Sequence, residues 1–201
     1  MGMLSNSGTF VRFSVEGELP ENFWSFAAER IAQFSFKDID DNYEEYSIGW
    51  VSIHNMFDSE FAYSSYVAGD YVVLSLRIDE RKVSSTVLKK YCLKEEERLK
   101  KERQIPKLSR GQRLEIKDSV RLMLTKKAMP VPVVYDLVWN LAESTALFFS
   151  TSGKAQEALE EFFKETFGLL LVRQIPYLAA VHMLAPEEEE KLAALTPSVF
   201  L

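Results

Sequence analysis

The run Asp38-Ile39-Asp40-Asp41-Asn42 opens like a calcium loop, with closely spaced oxygen donors on alternate residues. Such a loop needs glycine at its sixth position for the sharp turn and glutamate at its twelfth for bidentate ligation. Tyr43 and Gly49 stand there, so the run reads as a solvated acidic loop. Ser152-Gly153-Lys154-Ala155 has the ending of a phosphate loop, but the upstream glycine position holds Phe148 and Ala155 carries no hydroxyl for magnesium. It reads as a helix start. Glu115-Ile116-Lys117-Asp118 contains the E-x-K element that some nucleases use. No Pro-Asp pair precedes it, and Ile116 falls on an apolar stripe, which makes its charged neighbours a solvated flank. His54, His182 and Cys92 are too few and too scattered for a zinc set. No catalytic residue and no metal ligand is assigned, no cofactor or small-molecule substrate is expected, and the chain is read as non-enzymatic.

Charge is the chemistry that remains. Residues 81–127 hold sixteen Lys and Arg against six Asp and Glu, a formal +10, while the rest of the chain holds eight against twenty-four, a formal −16. The overall −6 therefore hides a polarised chain that would draw a polyanion to one segment. Lys and Arg without interleaved aromatics suit phosphate contacts rather than base stacking. The expected partner is double-stranded DNA, bound without sequence preference. The phosphate contacts are expected from Lys100, Lys101, Arg103, Lys107, Arg110, Arg113, Lys117, Lys126 and Lys127.

The elements that must carry these residues follow from hydrophobic spacing. Thr9–Glu16 reads as a strand, and Pro20-Glu21-Asn22 opens a helix to about Gln33 with Phe23, Phe26, Ala27, Ile31 and Phe34 close to helical spacing. Strands follow around Ile48–Ile53 and Tyr71–Ile78. Within the basic segment, Ser84 or Ser85 starts a helix that Pro106 stops. The second half of that helix, K-E-E-E-R-L-K-K-E-R, pairs Glu96 with Lys100 and Glu97 with Lys101, and should project with nothing to bury. Ser109-Arg110-Gly111 separates it from a second helix striped by Ile116, Val120, Met123 and Leu124. Strands at Val133–Leu141 and Thr145–Thr151, a helix over 153–167 and a strand at Leu169–Ile175 complete the pattern, with a short helix after Glu187. The fold class is α+β: an antiparallel or mixed sheet with packed helices and an inserted two-helix basic arm. The expected division is a sheet domain over 1–80 and 128–185, the arm over 81–127, and a tail over 186–201.

The composition, 47% hydrophobic and 12% aromatic, belongs to a globular chain long enough for one buried core. No apolar run approaches a membrane span and the start MGMLSNSG lacks a leader's basic and apolar regions, so a cytoplasmic protein is expected. Asn6 occupies the position where a myristoylation signal carries Ser or Thr. The lone Cys92 fits a reducing compartment and reads as an inert, partly buried thiol.

Several of these residues, in order, resemble the recombination-associated RdgC family of bacterial DNA-binding proteins. Gly49-Trp50-Val51 matches the family's G-W-V after a short strand, and 79–89, DERKVSSTVLK, resembles its E-E-K-I-L-P-x-x-V-I-K. The charged helix over 95–103, then Gly153-Lys154-Ala155-Gln156-Glu157-Ala158-Leu159, then the strand into Ile175-Pro176 follow in the family's order. The resemblance runs from the first strand to about residue 177. It implies a ring-shaped homodimer that encircles duplex DNA, sits with the nucleoid and restrains RecA-driven strand exchange, without a cofactor. The label "exonuclease" sometimes attached to the family gains no support from the residues present.

Three departures bear on what carries over. Family members are longer, and their C-terminal part helps close the ring, so here the arm is expected to hold DNA without it. Where the family has L-P-R-A-F at the arm's end, this chain has Leu124-Thr125-Lys126-Lys127-Ala128-Met129. Met129 thus stands in for the aromatic that joins two subunits, and its flexible thioether can fill the same kind of pocket. Ser85 stands near the family's proline at the arm's base. The competing reading is a protein-interaction or oligomerisation module whose charged arm pairs with another protein.

Overall fold

A computed structural model describes residues 2–5, 8–175, 177, 180, 183, 184, 188, 191 and 194. The short helix expected within 186–201 falls almost wholly outside them. The elements run β1 (Val11–Glu16), α1 (Phe23–Gln33), β2 (Tyr46–Val51), β3 (Val67–Ala68), β4 (Tyr71–Arg81), α2 (Ser85–Glu102), α3 (Arg110–Lys127), β5 (Pro130–Asn140), β6 (Thr145–Phe148), α4 (Gly153–Phe167) and β7 (Leu170–Arg173). The strands form an antiparallel sheet in the order β2-β4-β5-β6-β1-β7, with β3 on β4. The fold is α+β, as the spacing of apolar residues indicated. The chain forms two compact units, one of residues 1–31, 62–74 and 135–201, the other of residues 32–61 and 75–134.

The first unit is built on Trp139, which is fully buried on β5. Phe23 of α1 meets it edge-on at 5.2 Å, and Phe163 and Phe167 of α4 approach at 5.1 and 5.3 Å. Each such pair contributes about 1 kcal/mol beyond the apolar area it buries. Alternation on β1 sends Phe13 and Val15 inward, and the i, i+4, i+8 spacing of Phe23, Ala27 and Ile31 fixes the buried side of α1. Gly168 ends α4 in the left-handed region at φ 72°. Arg30 Nε and Nη2 then donate to the carbonyls of Thr166 and Glu165, placing a cation on the last turn.

In the second unit, β2 pairs with the outer half of β4, Gly49 opposite Arg77 and Trp50 opposite Leu76. A parallel bridge joins Ser35 to Trp50, so the chain before the acidic loop lies directly on Gly49. A Cβ at Gly49 would stand 2.3 Å from Phe36 Cα, which is why the G-W-V motif begins with glycine.

The acidic loop corrects its sequence reading. Arg81, buried on β4, donates from Nε to the Glu44 carbonyl at 2.9 Å and from Nη2 to the carbonyls of Ile39 and Asn42 at 2.7 and 2.9 Å. Its Nη1 donates to the Ala128 carbonyl. Ile39 is fully buried and Asp38 lies 3.8 Å from Arg77. The loop is therefore pinned by a buried cation instead of being merely solvated. Strand β4 also runs past the expected Ile78 to Arg81, because Asp79 and Glu80 pair with Ser47 and Tyr46 of β2 and Arg81 N donates to the Glu45 carbonyl.

Strand β5 begins at Pro130 rather than after Pro132. Strand β6 pairs only with Leu137–Asn140, so the missing N–H groups of the two prolines cost no bond on that side. The two-residue β3, which no periodicity announces, pairs Val67 with Val72 and Ala68 with Tyr71 around Gly69 at φ 63°.

Candidate nucleic-acid interface

The arm's two helices pack through Leu88, Cys92 and Leu99 of α2 and Ile116, Val120 and Leu124 of α3, with Ile105 and Leu108 from the connecting loop. The expectation that the charged half of α2 has nothing to bury is thus corrected. Leu99 lies among the charges one helical repeat beyond Cys92, and Leu108 closes the tip at 6% exposure. Ser109 starts α3 with a reciprocal capping box. Its hydroxyl accepts from Gln112 N, while Gln112 Oε1 accepts from Ser109 N. This cap stabilises the start of α3 by about 1 kcal/mol and fixes the turn that carries Arg110 and Arg113. Ser84 caps α2 without a side-chain bond.

The ion pairs on α2 run from Arg98 to Glu95 and to Glu102, at 2.5 and 3.2 Å, in place of the expected Glu96–Lys100 and Glu97–Lys101 pairs. The hydrogen bond from Arg98 holds the Glu95 carboxyl below the ordinary range and raises Arg98 in turn. Glu96 instead reaches across to Arg113, 3.8 Å away. That contact defines one flank of the arm. Helical spacing sets Lys100 beside Glu96 on α2, with Arg103 at the helix's C-cap, and Arg110, Arg113, Lys117 and Arg121 form one row at i, i+3, i+7 and i+11 on α3. The α3 row spans about 16 Å. Lys117 and Arg121 line a cleft of about 400 Å³ with Ser85, Glu45, Glu80 and Arg81.

The other expected contact residues lie elsewhere. Lys101 borders a groove on the opposite flank, with Lys94 and Arg98 around Tyr91, Val120 and Met123. Lys107 is exposed in the tip loop. Lys126 and Lys127 end α3 at the arm's base, where the Lys126 ammonium sits 5.7 Å from the Tyr43 ring centre. Met129 follows, 83% exposed. The structure therefore gathers Lys100, Arg103, Arg110, Arg113 and Lys117 on one flank and separates the remaining four.

Arg121 belongs to the gathered flank, and its place four residues after Lys117 could have revealed it. Conversely, Arg81 counts toward the segment's +10 but is occupied by loop carbonyls. Cys92 is half-buried against the arm core; burial, with a smaller effect from the Glu96 carboxylate, raises its thiol pKa, and Lys117 opposes the rise. Among the described residues, no group of three His, Cys, Asp or Glu is placed to hold a metal ion. No helix among them is long and apolar enough to cross a membrane.

An antiparallel sheet with packed helices, and a cationic helix pair in the chain between β4 and β5, defines an α+β class of fold. The family model described as "Putative exonuclease, RdgC" matches residues 15–184, and the chain belongs to the RdgC family. It is a recombination-associated RdgC-like protein. No curated protein matches the chain.

Proposed function

We propose that the arm binds duplex DNA through its phosphates, without sequence preference and without cleaving it. The observation that carries this reading is the flank of Lys100, Arg103, Arg110, Arg113, Lys117 and Arg121. These six cations come from two helices held together by a shared apolar core. Guanidinium and ammonium groups on such a row reach successive phosphate oxygens, and contacts to phosphate carry no sequence information. The first unit holds fifteen acidic and six basic side chains, so its charge disfavours DNA contact there.

Family membership extends the proposal to a homodimer with Met129 at its contact, associated with the nucleoid and acting to restrain RecA-type strand exchange. The word "exonuclease" in the family's description makes degradation of DNA the outcome to test against.

The carrying experiment is a gel-shift titration of the full chain on random-sequence duplex at 50 and 200 mM salt. About six phosphate contacts predict an affinity loss of about 10³-fold between those conditions. Binding that ignores salt, or its absence at low salt, overturns the proposal. Shortening of end-labelled duplex in magnesium or manganese overturns its non-enzymatic part.

A second reading has its own support. The groove lined by Tyr91, Val120 and Met123 on the arm's other flank is apolar at its floor and charged at its rim, as protein-docking grooves are. If the arm pairs with protein, Tyr91→Glu changes oligomeric mass while leaving DNA affinity intact.

A further inference from the structure

We infer that the cleft beside the Gly69 hairpin, in the first unit, binds the cationic side chain of a partner protein, an arginine or a lysine. The cleft has a volume of about 710 Å³ and is lined by Trp24, Ser25, Tyr63, Tyr66 and Asp70, among others. Two exposed aromatic residues, Trp24 and Tyr63, and a carboxylate, above a buried Tyr66, form a recognition set for a cation. The ring faces attract positive charge and the carboxylate accepts its N–H groups.

The Trp24 ring and the backbone at Tyr66 and Asp70 are held in place. Trp24 is half-exposed, and its ring stands edge-on to Phe23 at 5.3 Å, while Phe23 is fixed against Trp139. Tyr66 is buried, and its carbonyl accepts from Val73 N at 2.8 Å. Asp70 is exposed at the hairpin turn, where its carbonyl accepts from Leu141 N.

Tyr63 supplies the sharpest indication. It has φ 57° and ψ 31°, the left-handed region that a bulky side chain disfavours, and Ser64 beside it has φ 53°. Yet the Tyr63 ring is fully exposed and contributes nothing to the core. A strained backbone that presents a solvated aromatic costs stability and gains no burial in return, which is the pattern of a residue kept for contact.

Charge selects the ligand. The unit carries a formal −9, from fifteen acidic and six basic side chains, so the phosphates of a stacked nucleotide would be repelled and a basic peptide attracted.

Tryptophan emission tests this directly, because Trp50 and Trp139 are buried and Trp24 is exposed. The full chain is titrated with a capped, glycine-spaced arginine peptide and with its citrulline counterpart, which keeps the shape and removes the charge. The arginine peptide should shift the emission and the citrulline peptide should not. Asp70→Asn and Tyr63→Gly should each weaken binding about tenfold. Tyr63→Gly should also melt above the wild-type chain, since glycine relieves the left-handed strain, so loss of binding cannot be ascribed to unfolding. Glu16→Gln, an exposed charge elsewhere in the unit, should bind as the wild type does. Equal binding of the citrulline peptide, unchanged affinity of Asp70→Asn, or an equal loss in Glu16→Gln overturns the site. A fall in oligomeric mass in Asp70→Asn would assign the cation to a second copy of this chain and overturn the separate partner.

Discussion

The Arg77 guanidinium grips the Asp79 carboxylate two residues along the same strand, Nε to Oδ1 at 2.8 Å and Nη2 to Oδ2 at 2.7 Å. Both side chains are almost fully buried, at 5% and 2% exposure. The guanidinium also lies over the Phe36 ring at 4.1 Å, and its Nη1 donates to the Met56 carbonyl. The pair thus joins β4 to the chain on both sides of β2 within one unit. Removing Arg77 strands the Asp79 charge, and removing Asp79 leaves the buried Arg77 only the more distant Asp38 carboxylate at 3.8 Å. Asp79→Ala should lower unfolding free energy by about 3–5 kcal/mol, whereas Arg77→Met with Asp79→Leu should cost markedly less. Urea denaturation of the three chains checks this, and an Asp79→Ala loss no greater than the double variant's would refute it.

Gly49 offers a second stability test. Its missing side chain leaves room for the Phe36 backbone, and backbone atoms joined by the Ser35–Trp50 bridge cannot swing aside as a flexible side chain could. Gly49→Ala should cost about 1–3 kcal/mol or more by forced overpacking. Gly153→Ala, where a Cβ meets nothing within 4 Å, should be neutral or slightly stabilising in its helix. Thermal melts of the two variants should separate clearly; equal melts would show that the bridge can yield.

These two contacts mark where sequence reading stops. Apolar spacing located the long elements, because Phe23, Ala27 and Ile31, or Ile116 and Val120, write their buried face directly into the chain. Charge counting located the arm for a similar reason. Arg81 escaped, since a count cannot distinguish a solvated guanidinium from one that binds backbone carbonyls far away in sequence. The packed tip escaped as well. Leu99 stands alone among charges, and only the fold brings Ile105 and Leu108 to it. The left-handed Tyr63 has no sequence signal at all, because glycine or asparagine is what such a conformation ordinarily calls for.

Glu160 on α4 gives a pH test. Burial raises its carboxyl above the ordinary 4.5, Arg173 opposes the rise, and Glu157 adds to it. The folded chain therefore holds this proton more tightly than the unfolded chain. The contribution is fully present below the unfolded value and lost as pH rises through the folded one. At pH 7 the ionised Glu160 accordingly lowers stability. Glu160→Gln should be more stable than the wild type at pH 7, with the difference shrinking toward pH 4. Urea midpoints at the two pH values measure this, and a Gln variant less stable at pH 7 would contradict the sign.

The arm's two flanks make unequal predictions for DNA. Lys117→Glu with Arg121→Glu reverses charge within the row that also holds Arg110 and Arg113, whereas Lys94→Glu with Lys101→Glu reverses the same formal charge beside the Tyr91 groove. Total charge falls equally, so long-range attraction changes about equally in both. Only local phosphate contact differs. The first variant should lose about 10²-fold or more in duplex affinity at 100 mM salt and show a salt slope shallower by about two, one for each phosphate contact removed. The second should shift affinity by less than about tenfold with its slope nearly unchanged. Circular dichroism at 222 nm, matched between the variants, excludes loss of the helices as the cause. Equal losses would mean that the arm acts through its charge alone, and a larger loss in the second variant would place DNA on the groove side.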